Sequence, residues 1–306
     1  MPLIPHFADR LAEAVAGRES QVVLGLDPDP ARLWPEAAAA AASGGSPGER
    51  AARAVEAHCR ALIDAAGAAC VATKPQLACF ERLGAPGWDA LAAVVQHARA
   101  AGLIVLADGK RGDIAVSAAA YGQALVGSTP TPFGEVAGLG VDAFTASPYL
   151  GVDTLQQFMA VARPAQAAMF VLVRTSNPGA ADIEDLELAE GGPLWARVAG
   201  NVDRLGAEHV ADCGLHDVGA VVGATVPEHV GRMRELMPST VFLLPGIGAQ
   251  GGRVEDLAPA FAPHRAAGLV TASRSIATAY EARGVSPADG ARAEAERLRA
   301  AAWALS

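Results

Sequence analysis

Short apolar runs rich in β-branched residues recur along the chain and alternate with alanine-rich stretches of helical spacing. Eight such runs are found, at 21–26, 69–73, 103–107, 141–145, 169–174, 219–222, 240–244 and 268–271. The clearest helical stretches between them are 87–101, 117–126, 193–210 and 227–237. Continuous apolar runs are typical of parallel strands, which are buried on both faces. Eight strand–helix units favour an α/β fold of the closed (β/α)8 TIM-barrel type over an open doubly wound sheet.

Three stretches look like short insertions into a minimal barrel, at 34–49, 127–140 and 177–192. No linker divides the chain and no repeat is visible beyond the strand–helix alternation, so we expect one domain over residues 1–306. The last stretch, 288–305, has helical spacing, with Leu298 and Trp303 as candidates for its docking side.

Composition narrows the classes of protein that this chain can belong to. It is 51% hydrophobic but only 5% aromatic, and alanine supplies much of the apolar content, which favours a helix-rich α/β architecture over a β-sandwich. The net charge is −9 and no run rich in lysine or arginine occurs, so we expect neither nucleic acid nor a membrane surface as a partner.

The cysteines and the amino-terminal stretch indicate the cellular compartment in which we expect the protein. The four cysteines form no C-x-x-C pair, so we expect no disulfide framework and no zinc site. Residues 1–14 carry charges and lack the apolar core of a signal peptide, and no apolar run is long enough to span a membrane. We therefore expect a soluble, cytoplasmic protein.

Polar side chains follow the predicted strands at their carboxyl ends, where barrel enzymes carry their active sites. They include Asp27, Lys74, the run Asp108–Asp113, Ser147, the run Thr175–Gly179, the run Pro245–Gly252, and Ser273 with Arg274. The glycines of 246–252 let backbone N–H groups approach an oxyanion, and an arginine can contact two phosphate oxygens. The two loops, on adjacent strands, predict a phosphate site.

The pattern Asp108-x-Lys110-x-x-Asp113 is the chemical centre of the sequence. Residues i and i+2 of a strand share a face, so Asp108 and Lys110 can both point into the barrel mouth, with Lys74 arriving from the adjacent strand. Asp113 falls after the turn and can face elsewhere. A lysine between carboxylates is held protonated, which suits a reaction that forms a carbanion and then protonates it, such as a decarboxylation. A purely structural ion-pair network is the alternative.

These motifs resemble those of orotidine 5′-phosphate decarboxylases, particularly a longer-chain bacterial branch. The resemblance runs from residue 25 to residue 276 and is carried by Gly25-Leu26-Asp27-Pro28, Lys74-Pro75-Gln76, Asp108–Ile114, Ser147–Gly151, Thr175–Gly179, Gly246–Gly252 and Ser273-Arg274-Ser275-Ile276. It implies a homodimer that converts orotidine 5′-phosphate to UMP and carbon dioxide in pyrimidine biosynthesis, with no metal and no cofactor.

The resemblance also implies roles for individual residues. Lys110 would stabilise and protonate C6 of the pyrimidine. Asp108 would lie against the departing carboxylate, with Lys74 between it and the ribose hydroxyls. Asp27 would also hold the ribose, and Ser147 would contact the amide edge of the pyrimidine.

The remaining roles concern the phosphate and the subunit interface. Gln250 and Arg274 would hold the phosphate, and Asp113 would reach the active site of the partner subunit. Ser117 stands where a threonine often makes a similar contact across the interface. Ser273 replaces a frequent glycine before the arginine, and its backbone donor could still serve the phosphate.

Three other functions fit parts of this pattern. A sugar-phosphate decarboxylase or aldolase would use magnesium and an enediolate. A binding barrel without catalytic activity would keep the phosphate loops alone, and an aldolase of the Schiff-base type would use Lys110 as its nucleophile. Lys74 and the loop around Gln250 favour the decarboxylase.

Overall fold

Ten strands are present in the computed structural model, which describes residues 4–248 and 250–306. Ala249 of the glycine-rich stretch and the first three residues of the stretch 1–14 lie outside the described residues. The strands are β1 (Val22–Leu26), β2 (Ala72–Pro75), β3 (Ile104–Arg111), β4 (Ser128–Thr131), β5 (Gly134–Ala137), β6 (Ala143–Ala146), β7 (Ala168–Arg174), β8 (Val218–Val222), β9 (Phe242–Leu244) and β10 (Gly268–Ala272).

Eight of these strands close into a parallel barrel, in the order β1-β2-β3-β6-β7-β8-β9-β10, with β10 paired back to β1. The predicted (β/α)8 barrel is therefore confirmed. All five residues of β1, β8 and β10 are buried, which explains why these strands are continuous apolar runs in the sequence.

Helices separate the barrel strands. They are α1 (Phe7–Arg18), α2 (Pro35–Ala40), α3 (Pro47–Ala66), α4 (Leu77–Glu81), α5 (Ala85–Ala100), α6 (Ala115–Leu125), α7 (Val152–Ala162), α8 (Leu194–Gly206), α9 (Pro227–Leu236), α10 (Arg274–Ala277), α11 (Ala279–Arg283) and α12 (Pro287–Leu305). Short 3-10 turns lie at Gly67–Ala69, Pro178–Asp182, Val254–Asp256, Ala258–Phe261 and Arg265–Ala267. Among residues 4–248 and 250–306, no helix combines the length and the apolar character needed to cross a membrane.

Helix α1 covers the end of the barrel at which the strands begin. The ring of Phe7 meets Phe170 of β7 edge-on, with 6.3 Å between ring centroids. Arg10 forms an ion pair of 2.6 Å with Asp142, the residue before β6. With this end closed by apolar packing and ion pairs, the opposite end of the barrel remains for a site.

The largest errors in the predicted strand boundaries lie in β2 and β3. Strand β2 starts three residues later than expected and contains Lys74, and β3 continues past residue 107 to Arg111. The pairing of β3 with β6 shifts register between Ala107 and Arg111, and Lys110 has a φ of 47° there. A bulge of this kind aims side chains away from the regular alternation, so Asp108 and Lys110 lie in an irregular strand end.

The three predicted insertions take different forms. Residues 34–49 hold α2 and the start of α3, where Ser46 and Glu49 form a capping box. Residues 127–140 hold the antiparallel hairpin of β4 and β5, and every residue of β5 is exposed. Residues 177–192 hold one 3-10 turn and a loop.

The predicted terminal helix is confirmed as α12. Leu298 is fully buried, and Trp303 packs partly buried against the cluster that α1 covers. The guanidinium carbon of Arg265 lies 4.0 Å from the centroid of the Trp303 ring, a cation–π contact that also holds the end of α12.

Candidate active site

A cavity of about 470 Å3 opens at the end of the barrel where the strands finish. Its apolar floor contains Leu172, Val221 and Leu243. Charged and hydroxyl side chains surround that floor: Asp27, Lys74, Asp108, Lys110, Thr145, Thr175, Ser176, Glu184, Thr271, Ser273 and Arg274. A volume of this size is typical of sites for small molecules, which combine apolar walls with a few convergent polar groups.

Asp108 is the centre of a hydrogen-bonded cluster in this cavity. Its Oδ2 accepts a hydrogen bond of 2.6 Å from Lys74 Nζ, and its Oδ1 accepts one of 2.6 Å from Lys110 Nζ. Thr145 Oγ1 donates to the same Oδ1 over 2.9 Å. The side chains of Asp108 and Lys74 are each only 7% exposed, whereas that of Lys110 is 45% exposed. One ammonium group is thus locked in place, and the other faces the cavity.

Ion pairing determines the protonation states of the two buried side chains, Asp108 and Lys74. Burial alone would raise the pKa of Asp108, but the positive charges of Lys74 and Lys110 lower it to about 2. Burial likewise opposes the charge of Lys74, but the carboxylates of Asp108 and Asp27 outweigh it and raise the pKa of Lys74. Both groups are therefore charged at neutral pH.

Thr145 also fixes the backbone of the strand end. Lys110 has a left-handed φ of 47°, and its backbone N donates a hydrogen bond of 2.8 Å to Thr145 Oγ1. A non-glycine residue holds such a conformation only where the surroundings impose it. Sequence reasoning missed Thr145; its signal is a hydroxyl inside the buried run of β6, where apolar side chains are expected.

Asp27 and Ser273 meet across the neighbouring strands β1 and β10. Ser273 Oγ donates a hydrogen bond of 2.7 Å to Asp27 Oδ2. Gly25 lies beneath this pair, and a Cβ added there would stand 2.7 Å from the Cβ of Ser273. Glycine is therefore required at position 25 as long as position 273 carries a side chain.

The glycine-rich loop after β9 forms the wall of the cavity next to Arg274. Gly246, Gly248 and Gly251 have φ values of 106°, 74° and 92°, which other residues adopt only with strain. The loop closes on itself through a hydrogen bond of 3.0 Å from Gly252 N to Gly246 O. Gln250 and Arg274 line the same cavity and are exposed, so both are accessible to an anion.

The cavity brings together seven of the ten site residues expected from the sequence: Asp27, Lys74, Asp108, Lys110, Gln250, Ser273 and Arg274. The other three lie elsewhere. Ser147 lines a neighbouring cavity of about 600 Å3, and Ser117 is exposed on α6. Asp113 is half-buried, and its Oδ1 accepts a hydrogen bond of 2.8 Å from Ile114 N.

The cavity is also lined by polar residues without an assigned role, among them Thr175, Ser176, Asn177 and Glu184. The first three belong to a motif visible in the sequence, whereas Glu184 lies in an insertion and carries no motif. Within residues 4–248 and 250–306, no group of three or more histidine, cysteine or carboxylate side chains is arranged to hold a metal ion.

A closed parallel barrel whose charged side chains converge at its strand ends defines a TIM-barrel protein with the active-site layout of that fold. Residues 20–286 match the model of the orotidine 5′-phosphate decarboxylase / HUMPS family. The orotidine 5′-phosphate decarboxylase of Deinococcus radiodurans is 39% identical over 90% of each chain. The chain therefore belongs to this family, as its motifs indicated, and is grouped with carboxy-lyases.

Solved structures agree with this grouping. The structure of Leishmania donovani OMP decarboxylase is 33% identical, with a TM-score of 0.68 over 97% of this chain and 98% of that one. Leishmania donovani UMP synthase is 34% identical with a TM-score of 0.71, and this chain spans 57% of its length.

Proposed function

We propose that this protein converts orotidine 5′-phosphate to UMP and carbon dioxide without a metal or an organic cofactor. The observation that carries the proposal is the buried Asp108 carboxylate, held between Lys74 and the exposed ammonium of Lys110 in the cavity of a family barrel. The family relationship supports the substrate, and the charged cluster supports the reaction.

In the proposed reaction, the bond between C6 of the pyrimidine and its carboxylate breaks and carbon dioxide leaves. The electron pair stays on C6, where the nearby charge of Lys110 stabilises it. Lys110 Nζ then gives a proton to C6 to form UMP and recovers a proton from water. Because Asp108 and Thr145 fix the strand end before the substrate arrives, the charge is preorganised for the transition state.

Substrate binding must supply a large part of the catalytic effect. The slowest uncatalysed reactions require barriers to be lowered by about 23 kcal/mol or more, beyond what one ammonium group provides. We propose that Arg274 and Gln250 bind the phosphate and that this remote binding energy orders the charged cluster around the pyrimidine. Asp27, held by Ser273, is the proposed partner of the ribose hydroxyls.

The pyrimidine itself requires polar partners. Ser147 is the residue expected from the resemblance, and it lines the neighbouring cavity. Ser176 lines the cavity of Lys110 and is half-buried. We propose that Ser147 contacts the pyrimidine, as the resemblance implies, and that Ser176 supplies a second hydroxyl from the cavity of Lys110.

We also propose that the active unit is a homodimer in which Asp113 reaches the cavity of the partner subunit. Exposed apolar side chains surround the position of Asp113 in the sequence: Ile114 is 60% exposed and Val116 is 83% exposed. Phe133 and Tyr149, at 99% and 84%, extend this apolar character onto the hairpin and the loop after β6. Exposed apolar side chains of this kind are typical of subunit interfaces. Ser117, which lies on α6 next to Val116, would contact the same partner subunit.

The experiment that tests the activity is the loss of near-ultraviolet absorbance of orotidine 5′-phosphate with purified protein in excess EDTA. We expect turnover in the wild-type protein, and a fall of at least about a thousandfold in Lys110→Ala, whose fold is checked by circular dichroism. Activity that disappears with EDTA and returns with magnesium would contradict the proposal that the reaction needs no metal, and neither turnover nor UMP binding would favour a magnesium-dependent sugar-phosphate enzyme. Tight UMP binding without turnover would indicate a binding barrel.

A further inference from the structure

Arg174 anchors the insertion 177–192 to the end of β7. Its side chain is only 6% exposed, and its Nε and Nη2 donate hydrogen bonds of 2.8 and 2.9 Å to the two carboxylate oxygens of Asp185. Its Nη1 donates a third hydrogen bond of 2.7 Å to the backbone oxygen of Thr175. A paired arrangement of this type fixes the direction of both side chains.

Glu184, the neighbour of Asp185, holds the first residue of the turn that follows β7. Its Oε2 accepts a hydrogen bond of 2.8 Å from Thr175 N, and its Oε1 accepts one of 3.0 Å from Thr175 Oγ1. The same carboxylate lies 3.7 Å from Arg174 Nη1. Glu184 is thus held by a buried cation and in turn holds the backbone of Thr175.

The turn Thr175–Asn177 is confined on its other side as well. Thr225 Oγ1 donates a hydrogen bond of 3.2 Å to the backbone oxygen of Ser176. A Cβ added to Gly223 would stand 2.9 Å from the Cα of Ser176, and one added to Gly246 would stand 3.2 Å from its Cβ. The turn therefore fits between the ends of β8 and β9, beside the glycine-rich loop, and all three of its residues line the cavity.

We propose that Glu184 is a positioning residue of the active site and that the insertion 177–192 exists to deliver it. Glu184 holds the Thr175–Asn177 turn in the shape that binds the nucleotide, and Arg174 balances its negative charge beside an anionic substrate. This inference deepens the proposed function and depends on it. The segment acts through the turn, because Glu184 makes no bond to Lys74, Asp108 or Lys110 among the described residues.

The test compares three variants of the full chain. Glu184→Ala removes both hydrogen bonds to Thr175, whereas Glu184→Gln keeps one carbonyl oxygen to accept the bond from Thr175 N. Glu190→Ala is the matched control, because Glu190 lies on the same insertion, is 70% exposed and, among the residues that the structure describes, pairs only with the exposed Arg197 over 3.4 Å. For each variant we would measure kcat and KM with orotidine 5′-phosphate, the affinity for UMP by calorimetry, and the thermal midpoint of unfolding.

We expect Glu184→Ala to lower kcat/KM and UMP affinity by at least about tenfold, and Glu184→Gln to recover most of both losses. The thermal midpoints of the two Glu184 variants should agree, and Glu190→Ala should match the wild type in every measurement.

If Glu184→Ala keeps full kcat/KM and full UMP affinity in an active protein, the positioning role is wrong. It is equally wrong if Glu190→Ala loses as much as Glu184→Ala. A wild-type protein without turnover contradicts the proposed function instead, and UMP affinity in the same variants still tests the turn.

Discussion

At the scale of single residues, the site depends on a carboxylate that stays charged inside the protein. Asp108 has an acidic pKa of about 2 because two ammonium groups lie 2.6 Å from it. Removing only one partner of such a cluster leaves an uncompensated buried charge, which costs far more than the cluster contributes as a whole. The three side chains therefore depend on one another for stability as well as for chemistry.

The low pKa of Asp108 makes a prediction about acid stability. A carboxyl group whose folded-state pKa is lowered contributes stability above its unfolded pKa, and this contribution is lost as pH falls toward the folded value. The shift from 3.8 to about 2 corresponds to about 2 kcal/mol. We expect the difference in unfolding free energy between wild type and Asp108→Asn to be constant above about pH 5 and to shrink as pH falls below about 4.

Urea unfolding of both proteins over that pH range measures the difference. Glu184→Gln is the control, because it leaves Asp108 and its lysines intact. This variant should keep the loss of stability that Asp108 causes as the pH falls below about 4. An unfolding difference that stays constant down to about pH 2.5 would contradict the assignment of the pKa to Asp108.

A second prediction at this scale concerns the contact between Gly25 and Ser273. A Cβ at position 25 would stand 2.7 Å from Ser273 Cβ but 3.3 Å from Ser273 Cα. We expect Gly25→Ala to destabilise the wild-type protein by about 1–3 kcal/mol, and to cost clearly less when Ser273 is replaced by glycine. A double-mutant cycle of unfolding free energies measures the coupling. Equal costs of Gly25→Ala in both backgrounds would show that the two positions do not limit one another.

At the scale of the elements, the buried strands were predictable and their polar ends were not. Strands such as β8 and β10 are buried along their whole length, so an apolar run marks both of their ends. Strand β3 continues through Asp108 and Lys110 to Arg111, and charged residues there conceal the strand from any hydrophobicity pattern. The hairpin of β4 and β5 was missed for a related reason, because all of β5 is exposed and leaves no alternation of buried positions.

The contacts of the site also divide into those that the sequence predicts and those that it does not. Asp108 and Lys110 are two positions apart on one strand, and their spacing correctly predicted that they meet, although the strand is irregular there. Thr145 meets Asp108 from 37 positions away, and Glu184 meets Thr175 from an insertion. Such contacts follow from the closure of the barrel and from the path of a loop. A local sequence pattern predicts neither of these features. The insertions are therefore the elements for which structure adds most to the sequence.

At the scale of the whole molecule, the charges that line the cavity differ from the net charge of the chain. The chain carries a net charge of −9, and the cavity combines the cations Lys74, Lys110 and Arg274 with three carboxylates. An anionic substrate therefore depends on contacts with individual cations rather than on the net charge of the protein, and the acidic balance of the chain disfavours nonspecific binding of nucleic acids. Some of the exposed apolar side chains lie on α6, on the hairpin and on the loop after β6, among them Val116, Phe133 and Tyr149.

The proposed dimer makes a quantitative prediction for mixed subunits. Lys110→Ala and Asp113→Ala should each be nearly inactive alone. If Asp113 serves the partner's cavity, a mixed dimer contains one intact site, built from Lys110 of one chain and Asp113 of the other. After unfolding and refolding an equal mixture, half of the dimers are mixed, so we expect about one quarter of wild-type activity per site.

Refolding Lys110→Ala with Asp108→Ala is the control for this experiment, because both defects lie in the same cavity cluster and a mixed dimer then holds no intact site. Recovery in the first mixture but not in the second requires a site shared between two chains. If neither mixture recovers although refolded wild-type protein does, Asp113 acts within its own subunit. The exposed apolar side chains beside it would then need another partner to cover them.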